Sequence, residues 1–267
     1  MKAINGIPIL GFGTWPLKGE ECVASVRTAL ACGYRHIDTA DGYQNHQEVG
    51  RAIREAGVPR HELFLTSKVR RDDLHMDAVI AAGQRFVDEL QTDYLDLLLI
   101  HWPNADIPME ATFAGFQALK EQGIIRNFGV SNFTVARLER AMLITEGIIA
   151  NQVEYHPSLN QGALLEYCQS HQIVVTAYSP VAKGQDLTLP VIQELATQYR
   201  RSASQVILAW LIGKGIVAIP SSGTAAHIED NWHAGEWELS AADSTRIDQA
   251  HRDHRMTNPA FAEFPRG

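Results

Sequence analysis

Asp38, Tyr43, Lys68 and His101 are the side chains whose types and spacing point to proton chemistry. A phenol ionises near pH ~10, so at neutral pH it gives up its proton reluctantly. A neighbouring ammonium stabilises the phenolate and lowers that value. A carboxylate would hold the ammonium in place and keep it charged. An imidazole could orient a carbonyl oxygen or share its proton. Together the four would protonate an oxygen as negative charge develops on it, which suits carbonyl reduction with a hydride arriving from a cofactor. Each residue also has a plainer reading: a core histidine, a structural Asp–Lys ion pair, a packed loop tyrosine. The plainer readings weaken jointly, because the four groups fall at the ends of three adjacent strands.

The elements that position them follow from the hydrophobic pattern. Tyr34 to Thr39 reads as a strand with two unlike faces, running out at Asp38 into a polar turn that carries Tyr43. Further strands are expected at 63–68, 95–101, 125–130, 149–154, 173–178 and 217–220, and a short one precedes Trp15. A helical pattern follows each strand. Asn5-Gly6 predicts a small hairpin over residues 3 to 9. Ser202-x-x-Gln205 opens an additional helix over 202–214, and 240–252 reads as another, before a short tail from 253. Strands alternating with helices imply parallel pairing through right-handed crossovers. The fold class is therefore α/β, a (β/α)8 TIM barrel with an N-terminal β-hairpin, two extra helices and a short C-terminal tail. Residues 1–267 read as one domain, a length that suits one such barrel.

In a barrel of this kind the reactive groups sit at the C-terminal strand ends. Those ends deliver Asp38 and Tyr43, Lys68, His101 with Trp102, Ser131-Asn132, Gln152 and Glu154, and Tyr178. Gly11-x-Gly13 is not a dinucleotide fingerprint, because Pro16 stands where the third glycine belongs. Net charge is −8, which argues against a nucleic-acid binder. Cys22, Cys32 and Cys168 have no CxxC spacing and suit a reducing compartment and buried thiols, with no metal expected. No signal peptide or membrane span is read, so the expected location is cytoplasmic.

Eight short pieces in order carry a resemblance along essentially the whole chain. They are Gly13-Thr14-Trp15, Asp38-Thr39-Ala40-x-x-Tyr43, Thr66-Ser67-Lys68, Leu99-Ile100-His101-Trp102-Pro103, Gly129-Val130-Ser131-Asn132-Phe133, Asn151-Gln152-x-Glu154-Tyr155-His156-Pro157, Ala177-Tyr178-Ser179-Pro180 and Ile219-Pro220. With these the sequence resembles the aldo-keto reductase superfamily, most of all its prokaryotic 2,5-diketo-D-gluconate reductase branch. The resemblance implies an NAD(P)H-dependent reductase of aldehydes and ketones such as methylglyoxal-like compounds and keto sugar acids, working as a monomer without a metal. It implies Tyr43 as general acid, tuned by Lys68 and Asp38, and His101 as the group that orients the carbonyl. Tyr178 would stack on the nicotinamide and Ser131, Asn132 and Gln152 would bind its carboxamide. Gly13, Thr14, Ser179, Ser222, Thr224, Asp230 and Asn231 complete the expected cofactor contacts, and Trp15 and Trp102 the apolar walls of the substrate site. Glu154 is read as a structural buried carboxylate.

Two departures from the family pattern matter. Relatives usually hold an adenosine 2′-phosphate with a Lys at the position of Ser221 and an Arg at that of His227; this chain has neither. Arginine grips a phosphate bidentately and a neutral histidine does not. NADPH is thus the cofactor implied by resemblance, and NADH use is expected from Ser221 and His227, unless Lys183 or another neighbouring base compensates. Arg70 stands where many relatives carry Trp. It would favour an anionic substrate if it faces the pocket, and nothing if it points to solvent. The tail, with Phe261, Phe264 and Arg266, would either close the pocket or fray.

Two rival readings stay open. A barrel isomerase or aldolase would use Lys68 as a Schiff base, but needs glycine-rich phosphate loops that Ala177-Tyr178-Ser179-Pro180 does not provide. A non-catalytic nicotinamide-binding regulatory subunit would not need the intact Asp38, Tyr43, Lys68 and His101 set.

Overall fold

A computed structural model of the chain describes residues 2–264. The Asn5-Gly6 pair turns β1 (Ala3–Ile4) back on β2 (Ile7–Pro8), with φ of 48° and 81°. Two consecutive positive φ values are what this tight hairpin turn requires. Eight strands then pair in parallel: β3 (Phe12–Gly13), β4 (His36–Asp38), β5 (Phe64–Val69), β6 (Leu95–Ile100), β7 (Ile125–Ser131), β8 (Ile148–Glu154), β9 (Val174–Tyr178) and β10 (Val217–Ala218). The sheet closes on itself. Leu10 lies opposite Ala218, the Gly11 N–H donates to Ala218 O at 2.9 Å, and the Ala218 N–H donates to Ile9 O at 3.0 Å. The Gly11-x-Gly13 pair belongs to this seam. A Cβ at Gly11 would run into the His36 ring and one at Gly13 into the Ile219 carbonyl. These glycines permit close strand approach.

Helices α1 (Gly19–Cys32), α2 (His46–Ala56), α3 (Met76–Leu90), α4 (Met109–Glu121), α5 (Val135–Met142), α6 (Gly162–Ser170) and α7 (Pro190–Tyr199) follow β3 to β9 in turn. Two more, α8 (Ala203–Gly213) and α9 (Ala225–Trp232), flank β10, and α10 (Ala241–Asp248) comes last. The side-chain period of two sorts each strand. Leu97 and Leu99 pack inside the barrel with Ile7 of the hairpin, which plugs its N-terminal end, while Leu98 and Ile100 pack on the helix layer. Ser202 caps α8 as its spacing predicts, its hydroxyl accepting from the Gln205 N–H. This helix is apolar nearly all round and buried from Gln205 to Leu211, covered by α7 and α10. A helix of that composition needs cover on both sides. Among the described residues no helix is long and apolar enough to cross a membrane.

The strand carrying Asp38 is shorter than its pattern suggests. Tyr34 precedes it, outside the barrel, packing on Phe12 and Trp232 and donating its hydroxyl to Ile228 O at 3.2 Å. Register then does the positioning. Asp38 pairs with Thr66, so Lys68 stands two residues further along β5 on the same inward face. Ser131 pairs with Gln152, and Glu154 with Tyr178.

Candidate active site

Asp38, Lys68 and Tyr43 converge at the C-terminal end of the barrel. The Lys68 ammonium is fully buried and donates three hydrogen bonds: to Asp38 Oδ1 at 2.5 Å, Thr39 O at 2.9 Å and the Tyr43 hydroxyl at 3.2 Å. The other Asp38 oxygen accepts from Gln152 Nε2 at 2.7 Å. Burial alone would push the lysine down, but the carboxylate and the phenol outweigh it, so its pKa is raised and the ammonium stays charged. Tyr43 differs from the expectation. Burial holds its phenol above the ordinary value, and the opposing pull of Lys68 does not overcome it. The phenol is therefore a protonated donor at neutral pH. The His101 ring meets the Tyr43 ring edge-on at 5.6 Å. Burial, aided by Lys68 and Arg70, lowers its pKa to about 3, so it acts as a neutral imidazole.

Tyr43 ends a short 3-10 turn, Asp41–Tyr43, whose hold on the barrel is built from residues that spacing did not single out. Asn45 is fully buried. Its amide nitrogen donates to Thr14 O and Leu17 O at 3.3 and 3.1 Å, and its oxygen accepts from the Thr39 hydroxyl at 2.6 Å. Thr14 in turn donates both its N–H and its hydroxyl to Asp38 O, each at 3.0 Å. From outside, Asp41 is gripped by Arg70 Nε at 2.9 Å and an Arg85 guanidinium nitrogen at 2.8 Å. Of the two expectations for Arg70, a substrate contact or an outward side chain, the geometry favours the second. Its guanidinium is drawn to the Asp41 carboxylate on the outer side of the turn and does not line the cavity.

A cavity of about 830 Å³ opens above these groups, large enough for a small-molecule site. Gly13, Thr14, Tyr43 and His101 lie at its base, and Trp15 and Trp102 line its sides. On another side the side chains of Ser131, Asn132 and Gln152 are nearly fully buried next to the Tyr178 ring. Asn132 holds this group together. It donates to His101 O and to the Ser131 hydroxyl, each at 3.0 Å, and accepts from the Tyr178 hydroxyl at 2.9 Å. Buried amides beside an aromatic face match a nicotinamide carboxamide and ring. Ser179, Ser221, Ser222 and Gly223 line the cavity further out. Thr224 and His227 lie beyond it, exposed, at the start of α9. Asp230 and Asn231 do not line the cavity. Asp230 accepts from Ser202 and Gln205, and Asn231 from Ser204, so both tie α9 to α8. The polar N-terminus of α8 engages their side-chain oxygens.

The tail forms one wall of the cavity. Met256, Thr257, Asn258, Pro259 and Phe261 line it, and Phe261 and Phe264 both meet Trp102 edge-on, at 5.5 and 5.9 Å. Arg266, expected to share in closing the pocket, lies outside the described residues.

Three buried imidazoles, His36, His46 and His101, are each held below the ordinary value, first of all by burial. On acidification the unfolded chain takes up protons near pH ~6.5 that the folded protein refuses. Stability contributed by each is present above that pH and is lost as pH falls. His156, whose pKa is raised, acts in the opposite sense, but it is outnumbered. The unfolding free energy, read from urea titration, should therefore decrease from pH 7 to pH 5, with a slope of at most about 1.4 kcal/mol per pH unit for each net histidine. A free energy that rises on acidification would contradict these assignments.

The aldo/keto reductase family model matches residues 9–252. Methylglyoxal reductase DkgB of Escherichia coli O157:H7 is 38% identical over 257 residues, covering 95% of this chain and 96% of that protein. Glyoxal reductase of Bacillus subtilis (strain 168) is 40% identical over 260 residues, covering 96% and 94%. The crystal structure of a Bombyx mori aldo-keto reductase in complex with NADP superposes with a TM-score of 0.89 at 34% identity, covering 95% and 92%. The barrel, the buried Asp38–Lys68–Tyr43 array and these relatives agree that the chain belongs to the aldo/keto reductase family and is an NAD(P)H-dependent oxidoreductase.

Proposed function

We propose that the protein reduces small neutral carbonyl compounds of the 2-oxoaldehyde class to alcohols, with Tyr43 as the general acid. The observation that carries this reading is the Lys68 ammonium shared between Asp38 at 2.5 Å and the Tyr43 hydroxyl at 3.2 Å beneath the cavity. Ser131, Asn132, Gln152 and Tyr178 would hold a nicotinamide, whose reduced form supplies the hydride. As charge builds on the substrate oxygen, Tyr43 releases its proton to it, and Lys68 stabilises the phenolate left behind. Asp38 keeps Lys68 charged and fixed. The neutral His101 ring can hydrogen-bond the same oxygen without competing as an acid. Trp15 and Trp102 exclude water from one side of the site.

The preference for neutral substrates follows from the lining. With Arg70 turned outward, Lys183 is the one ammonium or guanidinium that lines the cavity among the described residues, and it sits 5.5 Å over the Trp15 ring. The named relatives act on glyoxal and methylglyoxal, which are small and uncharged. A panel of neutral and anionic carbonyls tests this. Higher kcat/KM on keto acids than on methylglyoxal would overturn it.

We also propose that NADH is accepted alongside NADPH. Ser221 and His227 offer no permanent cation, and the sequence alone did not reveal a further feature. Glu21 of α1 lies so close to Gly223 that a Cβ there would collide with its carboxylate. A carboxylate at this end of the cavity repels a 2′-phosphate and can accept a hydrogen bond from a ribose hydroxyl. The expected NADPH-over-NADH ratio in kcat/KM is below a thousandfold. Ser221→Lys with His227→Arg should raise it by about tenfold to a hundredfold, the worth of a charge-assisted hydrogen bond. A wild-type ratio above a thousandfold would sink the proposal.

A further inference from the structure

Glu154 ends β8 at the rim of the barrel and is fully buried, yet it takes no part in the proton set. An ionised carboxylate removed from water costs several kcal/mol unless donors surround it. Two of its donors come from the tail. Oε1 accepts from the Met256 N–H at 2.5 Å and Oε2 from the Thr257 N–H at 2.8 Å. Both residues line the cavity. The third donor is His156 Nε2 at 3.0 Å, whose other ring nitrogen meets Asp186 Oδ2, also at 3.0 Å. Burial pushes this imidazole down, but the two carboxylates outweigh it and hold its pKa above the ordinary value. Asp186 belongs to the short helical segment Ala182–Thr188, which carries Lys183 to the cavity edge. Two walls of the cavity, the tail and this segment, are therefore tied to one buried carboxylate.

We propose that Glu154 is a positioning residue for substrate specificity: by accepting the backbone N–H groups of Met256 and Thr257 it sets the tail as a fixed wall of the carbonyl site. The proposal rests on the reading of this cavity as the substrate site. Its chemistry is specific. A carboxylate offers acceptors on both oxygens, and the tail and His156 together present three donors. A glutamine at this position has one acceptor oxygen, and its NH2 would face an N–H that also donates. The tail is anchored again at Glu263, which accepts from Arg137 Nε at 2.7 Å, and Phe261 between the two anchors is 43% exposed. The wall should thus matter more for a bulky substrate than for a small one.

The test uses the full-length protein with Glu154→Gln, and with Thr257→Pro, which removes one tail donor and leaves Glu154 in place. In each variant KM for phenylglyoxal is expected to rise about tenfold, with kcat within about threefold and a smaller change in KM for methylglyoxal. Hydrogen exchange at the tail amides of Met256, Asn258, Ala260 and Phe261 should speed up at least tenfold. The double variant should show less than the sum of the two effects. Should Glu154→Gln fail to fold, Thr257→Pro carries the same readouts. Unchanged tail exchange and unchanged KM overturn the proposal, as does a loss of thermal stability with KM intact. A wild-type protein without turnover on either aldehyde would count against the substrate reading, and the exchange measurement would still decide whether Glu154 holds the tail.

Discussion

Replacing Tyr43 with phenylalanine is expected to lower kcat by about 10²–10⁴-fold, the usual contribution of a positioned general acid. Cofactor affinity should stay within about twofold, because the Tyr43 hydroxyl makes its described hydrogen bond to Lys68 and none to the Ser131–Asn132–Tyr178 group. The ring itself is kept, so its edge-on contact with His101 survives and the cavity keeps its shape. The loss is chemical: water or the neutral His101 would have to deliver the proton, and the Lys68 ammonium, which bonds the Tyr43 hydroxyl, makes no hydrogen bond to His101 that would stabilise the anion left behind. The measurement is steady-state turnover of methylglyoxal with both cofactors, together with cofactor titration by fluorescence. Equal kcat in wild type and variant would refute the assignment of Tyr43.

Lys68→Met should be the most damaging single change, in activity and in stability together. Lys68 and Asp38 are buried within the barrel. Removing the ammonium leaves the Asp38 carboxylate with Gln152 as its remaining side-chain donor. Breaking a buried pair by deleting one partner costs about 3–5 kcal/mol. For a chain of this size that corresponds to a drop of roughly 10 °C in Tm. Turnover should fall at least as far as in Tyr43→Phe, since the phenolate loses its stabilising charge. Pairing Lys68→Met with Asp38→Asn removes the orphaned charge. That double variant should recover much of the stability and none of the activity. Calorimetry and turnover on the three proteins check this. Recovery of activity with stability would mean that the pair is structural.

The strand–helix alternation was legible because it is local. Each strand's apolar run and each helix's spacing are set by neighbours a few residues away, and Asn5-Gly6 needs only its own backbone freedom. The main catalytic candidates were legible for a related reason. A barrel puts strand ends at one face, so Asp38, Lys68 and His101 could be placed together from sequence position alone. Helix α8 shows the limit. Its capping serine announced where it starts, but not that it would be buried nearly all round between the barrel and α7 and α10.

Side-chain direction was not legible. Arg70 follows Lys68 by two residues, and whether it faces the cavity or the outside depends on Asp41 and Arg85, which come from different elements. Asp230 and Asn231 are claimed by the N-terminus of α8. Glu21 reaches Gly223 across about two hundred residues of chain. Even the tuning of Tyr43 changed sign between the two levels. Pairwise charge predicts a lowered pKa, and burial, which is a property of the assembled site, raises it.

By itself the order of residues determined the barrel, the strand ends and the candidate set Asp38, Tyr43, Lys68 and His101, because periodicity and register act over short distances. Only the tertiary structure decided which way Arg70 points, that the tail lines the cavity, and that Glu154 accepts its amides there. Those outcomes depend on which donors and charges meet across the fold, and a buried carboxylate is satisfied by whichever backbone amides the packing brings within reach.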